Sequence, residues 1–313
     1  MSLAFVFPGQ GSQAPGMGRD LADAFPIARE TFQEVDDALG QKLSRLMFEG
    51  PGEELTLTAN AQPALMAVSV ALSRVLAKEG GFDMSRQVSL VAGHSLGEYS
   101  ALTAAGSFDL ATAARLLRLR GDCMQAAVPP GEGAMAALLG AEAEQAAAIC
   151  AGAAQGEVLE VANDNGGGQV VISGAKAAVE RAVEAAKAAG VKRAMILPVS
   201  APFHCAMMEP AARVMEEALA KAAMAHPCVP VVANVTAAPV SDPDTIRGLL
   251  VRQVTGTVRW RECVAAMVAS GCTRFVEVGA GKVLTGLMKR NAPEAGAFAI
   301  NTPADVEAFL KSL

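Results

Sequence analysis

The pentapeptide Gly93-His94-Ser95-Leu96-Gly97 constrains this chain more than any other feature of it. It fits the pattern G-x-S-x-G and stands between a β-branched apolar run, Gln87–Ala92, and a helix-forming run, Glu98–Ala105. Strand, sharp turn and helix, in that order, are what a nucleophile elbow requires. The glycines are needed because the turn is tight and a Cβ would clash. The hydroxyl of Ser95 is expected to project at the start of the helix, where the helix N-terminus and the Leu96 N–H favour a developing oxyanion. A chance glycine-rich turn has no reason to carry a strand on one side and a helix on the other.

A serine nucleophile needs a base, and the chain has three histidines. His94 lies on the elbow itself, so its ring is expected to project away from Ser95 in a structural or pocket-lining role. His226, in Ala225-His226-Pro227 at a helix end, suits a cap or a surface position. That leaves His204, in the loop Ser200-Ala201-Pro202-Phe203-His204-Cys205 ahead of a helix, as the base by elimination. Two weaker signals are set aside. Gly279-Ala280-Gly281-Lys282 fails the phosphate-loop pattern, with Val276 and Val283 at its required Gly and Ser/Thr positions. Asn163-Asp164-Asn165-Gly166-Gly167-Gly168 reads as a hairpin connection rather than a ligand cradle.

Around the elbow the chain alternates strands and helices. Leu3–Phe7 predicts a buried first strand that ends in Pro8-Gly9. Asn60–Ala77 predicts a long aliphatic helix, with Pro63 near its start where proline is tolerated. Between residues 126 and 197 the order becomes β-α-β-β-α-β, that of a ferredoxin-like unit. Its elements are expected at Ala134–Leu139, Ala141–Ala154, Val158–Ala162, Gln169–Ser173, Ala175–Ala189 and Lys192–Leu197. The expected organisation is therefore a large α/β domain, residues 1–125 and 198–313, with a small ferredoxin-like domain, 126–197, inserted. The large domain is expected to be α/β-hydrolase-like with a parallel sheet core, resuming through Met208–Ala223, Pro230–Asn234, Ile246–Val254, a helix after Trp260, Arg274–Val278 and a closing helix near Lys282.

Composition narrows the function classes. With 313 residues, 52% hydrophobic and 19% charged, the chain can bury a large core. At 4% aromatic, that core is aliphatic. A net charge of −6 argues against nucleic acid as the main partner. No apolar stretch approaches the ~20 residues of a membrane span, and the opening residues lack a basic signal-peptide start. The six cysteines, Cys123, Cys150, Cys205, Cys228, Cys263 and Cys272, show no metal-ligand spacing, so no metal is expected, and reduced thiols fit a cytoplasmic protein.

Five motifs then occur in one order: Phe7-Pro8-Gly9-Gln10-Gly11-Ser12-Gln13, Gly93-His94-Ser95-Leu96-Gly97-Glu98-Tyr99, the Arg120 region, Phe203-His204, and Val251-Arg252-Gln253. Together, from about residue 3 to the closing helix, they resemble the malonyl-CoA:acyl carrier protein transacylases of bacterial-type fatty acid synthesis. The resemblance implies Ser95 as nucleophile and His204 as base, with the backbone N–H groups of Gln10 and Leu96 as the oxyanion hole. It implies that Arg120 binds the substrate's free carboxylate, although beside Arg115 and Arg118 alone it would read as a solvated residue. It implies that the main-chain carbonyl of Gln253 orients the base, so no acidic triad member is nominated.

Phe203 is a departure. Single-function bacterial enzymes more often carry serine before the base, whereas Phe-His resembles the malonyl-selecting form of polyketide acyltransferase domains. Its ring is expected to crowd an α-methyl branch. The implied partners are malonyl-CoA and holo acyl carrier protein, with no nucleic acid or membrane, no resident cofactor (the coenzyme A thioester being a substrate) and a monomeric state. Carrier proteins are acidic, which makes Arg115, Arg118, Lys187, Lys192, Arg193, Lys289 and Arg290 candidate contacts, each equally an ordinary solvated residue. A serine esterase or thioesterase, a polyketide carrier-protein acyltransferase and a non-catalytic carrier-binding protein are the alternative functions.

Overall fold

The computed structural model describes residues 2–199 and 201–313. Ser200, quoted above with the His204 loop, lies outside them. Ten strands form two sheets: β1 (Ser2–Phe7), β2 (Leu90–Gly93), β3 (Gly133–Leu139), β4 (Leu159–Asp164), β5 (Gln169–Ala175), β6 (Arg193–Ile196), β7 (Val231–Ala233), β8 (Ala238–Val240), β9 (Cys272–Val278) and β10 (Gly296–Ile300).

The larger sheet runs β10-β9-β1-β2-β7-β8. Its first five strands are parallel, and β8 joins β7 antiparallel at the edge, so the core is mixed rather than purely parallel. β1 shows why a continuous apolar run belongs at the centre. Leu3, Phe5 and Phe7 enter the core on one face, and Ala4 and Val6 enter a second core on the other. A strand covered on both faces has no position left for a polar side chain. Helices Thr58–Gly80 and Leu110–Ala126 cover the first face, and Trp260–Ala269 and Val283–Asn291 the second.

The smaller sheet is antiparallel, in the order β4-β5-β3-β6, and its elements follow the expected β-α-β-β-α-β sequence. Helices Ala143–Ala154 and Lys176–Ala188 close its own aliphatic core. Met135 and Val171, from its opposite face, join the large core instead. Val258, buried in the second core just ahead of helix Trp260–Ala269, ties that layer to the small sheet: Asp164 N donates to its carbonyl at 3.0 Å, and its own N–H donates to Ala162 O at 2.9 Å. Arg261 adds a 2.8 Å ion pair to the buried Asp164.

Several expected boundaries move. The strand expected over Gln87–Ala92 begins at Leu90, because Met84–Gln87 forms a helical turn capped by Asp83, which accepts from Ser85 N. Pro63 lies at the sixth residue of its helix, past the first turn. The helix expected to close the chain is followed by β10 and by helix Pro303–Leu310. The Thr302/Asp305 capping box and Pro303 at the helix start were readable signals for the latter. Among the described residues, no helix is long and apolar enough to cross a membrane.

Candidate active site

The parallel strands β1 and β2 end side by side, and their exit loops carry Gln10 and Ser95. Gly97 lets these loops touch: a Cβ there would lie 2.3 Å from the Phe7 carbonyl oxygen. A Cβ on Gly93 would lie 1.8 Å from the Gly97 carbonyl carbon, so the elbow closes only between two glycines. Between them Ser95 adopts φ 53°, a left-handed backbone costing roughly 1–3 kcal/mol in a residue with a Cβ.

Hydrogen bonds hold that strained turn. Asn234, just after β7, accepts from Ser95 N at 2.8 Å through Oδ1 and donates through Nδ2 to Gly93 O at 2.7 Å. Gln253 Nε2 donates to Ser95 O at 3.1 Å. Leu96 is the N-cap of helix Gly97–Ala104, and Gln10, on the β1 exit loop, lines the same cavity. Neither residue's backbone N–H has an acceptor among the described residues, so both are free to meet an oxyanion.

His204 reaches the serine from the loop before the short 3-10 turn Ala206–Met208, itself at φ 58°. Its Nδ1–H donates to the Gln253 carbonyl oxygen at 2.9 Å, which leaves Nε2 as acceptor for the Ser95 hydroxyl at 2.8 Å. Burial, then the nearby Arg120 charge, push its pKa down to about 3, so the ring stands neutral and able to take a proton.

Arg120 is buried, at 1% exposure, not solvated. Nη1 donates to Gln62 Oε1 at 2.8 Å, and Nη2 donates to Gln253 Oε1 at 2.9 Å and to Ser95 Oγ at 3.3 Å. Nε finds no acceptor in hydrogen-bond geometry, and no carboxylate pairs with the guanidinium among the described residues. Burial lowers its pKa, yet so basic a group stays protonated. A buried cation with spare donors calls for an anion.

These side chains meet in a cavity of about 390 Å³ in the cleft between the two sheets. Gln10, Ser95, Leu96, Arg120, Phe203 and His204 all line it, while Gln253 stands behind His204 and Arg120. Phe203 shares the apolar wall with Met135, Val171 and Leu197. His94 lines the cavity as expected and bonds Asn165 Oδ1 at 2.8 Å, and His226 is exposed. The hairpin connection is shorter than expected, Asn165 to Gly168, because Asn163 and Asp164 pair with β5 as the last residues of β4, and Asn163 and Asn165 also line the cavity.

Of the basic candidates, Arg118 is half-buried and donates to Asn60 Oδ1 and Gln41 Oε1. Lys187 pairs with Glu184 and Arg290 donates to Gly167 O, while Arg115, Lys192, Arg193 and Lys289 are exposed. Sequence reasoning missed Asn234, Glu98 and Gln62. Asn234 ends an apolar strand with a polar residue, and Glu98 is a charge in an apolar helix start; either oddity was a usable signal.

A neutral imidazole poised on a strained serine hydroxyl serves one kind of chemistry, the making and breaking of an ester on that oxygen. Fold and site thus define the serine-dependent acyl-transfer class. Residues 4–302 match the model of the acyl transferase domain family. The Escherichia coli (strain K12) malonyl CoA-acyl carrier protein transacylase is 51% identical over 309 residues, 99% of each chain. The crystal structure of an acyl-carrier-protein-S-malonyltransferase from Bartonella henselae superposes with a TM-score of 0.98 at 54% identity, covering 100% of this chain and 99% of that one. A malonyl-transacylase in complex with its type II PKS acyl-carrier protein gives 0.96 at 47% identity, covering 100% of both chains. The chain belongs to the acyl transferase domain family and, within it, to the malonyl-CoA:acyl carrier protein transacylases.

Proposed function

We propose that this protein transfers malonyl from coenzyme A to the phosphopantetheine thiol of holo acyl carrier protein through malonyl-Ser95, supplying fatty acid elongation. The observation that carries this reading is Arg120, a buried guanidinium without a carboxylate partner among the described residues, 3.3 Å from the Ser95 oxygen. In a malonyl thioester the carboxylate carbon lies two bonds from the reacting carbonyl carbon. The group that binds it must therefore stand beside the serine, and an arginine fork can pair with both carboxylate oxygens.

His204 Nε2 takes the Ser95 proton as Oγ attacks the thioester carbonyl, and the Gln10 and Leu96 amides hold the oxyanion. The intermediate collapses with release of coenzyme A, whose sulfur receives the proton. The carrier thiol then gives its proton to His204 and attacks malonyl-Ser95; the Ser95 Oγ–carbon bond breaks, His204 returns the proton to Oγ, and the carrier leaves as the malonyl thioester. This is ping-pong covalent catalysis, and it needs no resident cofactor. The apolar wall of Met135, Val171 and Phe203 disfavours water as the second nucleophile. Phe203 in that wall supports selection of malonyl over methylmalonyl.

Related assignments belong to the same reading. The large sheet with its elbow is the α/β-hydrolase-like catalytic domain, and the small sheet with its separate core is the ferredoxin-like insert at 126–197. The protein works as a monomer, and six free thiols support a cytoplasmic location. A carrier protein of polyketide assembly is the second reading, favoured by the related complex with a type II PKS carrier. Intact mass spectrometry after mixing with malonyl-CoA and no acceptor tests the core of the proposal. A malonyl adduct on the Ser95 peptide, absent from Ser95→Ala, is expected; coenzyme A release with no adduct, or an adduct elsewhere, overturns it.

A further inference from the structure

The side chain of Gln253 does work that its main chain does not. Its Oε1 accepts from Arg120 Nη2 at 2.9 Å, while its Nε2 faces three oxygens: Glu98 Oε2 at 2.8 Å, Ser95 O at 3.1 Å and Asn234 Oδ1 at 3.3 Å. An amide can flip, and here the surroundings forbid it. A flip would set Oε1 against those acceptors and turn the NH₂ toward the Arg120 donor. Of the three oxygens, that of Glu98 is closest and belongs to the only carboxylate. Glu98 is itself 1% exposed and also accepts from Asn234 N at 3.0 Å.

We propose that Glu98 is a positioning residue for substrate selection: by accepting from Gln253 Nε2, it fixes the amide so that Oε1 aims the Arg120 guanidinium at the substrate's carboxylate. This rests on the malonyl reading above. The relay has a physical logic. A carboxylate bonded directly to Arg120 would neutralise the fork and compete with the substrate anion. A neutral amide between them orients the guanidinium and leaves its charge unspent. Burial raises the Glu98 carboxyl to about 7, opposed by its two N–H donors and by Arg120, which fits a group held close to the cation without touching it.

The test is the ratio of kcat/KM for malonyl-CoA to that for acetyl-CoA, with holo carrier protein as acceptor. Glu98→Leu removes the acceptor, Gln253→Leu removes the amide but keeps the main-chain carbonyl, and Glu98→Gln retains an acceptor oxygen. The ratio is expected to fall about tenfold or more in both leucine variants and to stay within about threefold of the parent in Glu98→Gln. Proportional loss of both substrates in whichever leucine variant folds means a structural role only and overturns the inference. So does an equal collapse of the ratio in Glu98→Gln. A parent enzyme without malonyl preference, or Arg120→Ala retaining it, would instead sink the malonyl reading beneath the inference.

Discussion

Ser95 and His204 both occupy left-handed backbone, at φ 53° and 58°, and their side chains meet at 2.8 Å. Each strained residue is held by groups outside its own loop. Asn234 and the Gln253 side chain grip the serine, and the Gln253 carbonyl grips the imidazole. Nucleophile and base are thus registered to each other through one residue of helix Pro243–Thr255.

The lowered pKa of His204, about 3, fixes the sign of its pH dependence. The ring stays neutral as pH falls through 6.5, so kcat/KM should show no acid limb there. Stability should fall between about pH 6.5 and 3, because the unfolded imidazole binds a proton that the native one refuses. A pH–rate profile with an acid midpoint near 6.5 that persists in Glu98→Gln would contradict this.

On the proposed reading, the Arg120 guanidinium makes charge-assisted bonds to malonyl and none to acetyl. Arg120→Ala should lower kcat/KM for malonyl-CoA about a hundredfold or more, taking about 1.5–3 kcal/mol for each such bond, and cost acetyl transfer much less. Steady-state assays with both thioesters decide it, and equal losses rule out the carboxylate role.

Phe203 lines the cavity wall with Met135 and Val171, and on the malonyl reading its ring is expected to crowd an α-methyl group. Phe203→Ser should raise methylmalonyl transfer relative to malonyl by about tenfold, the scale of one methyl in an apolar pocket. Competition between the two thioesters, read by mass spectrometry of the carrier protein, checks this; an unchanged ratio removes Phe203 from selection.

The elbow glycines leave no room for a methyl. Gly97→Ala puts a Cβ 2.3 Å from the Phe7 carbonyl oxygen, an overpacking that costs about 1–3 kcal/mol where neighbours can shift. Backbone cannot shift cheaply, so the upper end is expected, with a lower melting temperature and loss of the malonyl adduct. A variant melting like the parent and still acylated would show that the loop contact is not needed.

Much of this was legible from short-range pattern. The elbow announces itself because a tight turn forces glycine at both ends of a five-residue window. β1 is readable because a strand covered on both faces must be apolar throughout, and the small sheet because its elements alternate period. What escaped had its cause elsewhere in the chain. β8 and β10 are edge strands that exist by pairing with β7 and β9. Asn234, Glu98 and the side chain of Gln253 are ordinary polar residues until folding buries them around the serine.

By itself, the sequence determined the turn that presents the Ser95 hydroxyl, since its glycines are local necessities, and narrowed the candidate base to one of three histidines. Only the tertiary structure decided that Arg120 is buried rather than solvated, that His204 is held neutral, and that a carboxylate on another helix sets an amide's direction. Those properties arise from low dielectric and from hydrogen-bond partners far apart in the chain, and neither exists until the layers have packed.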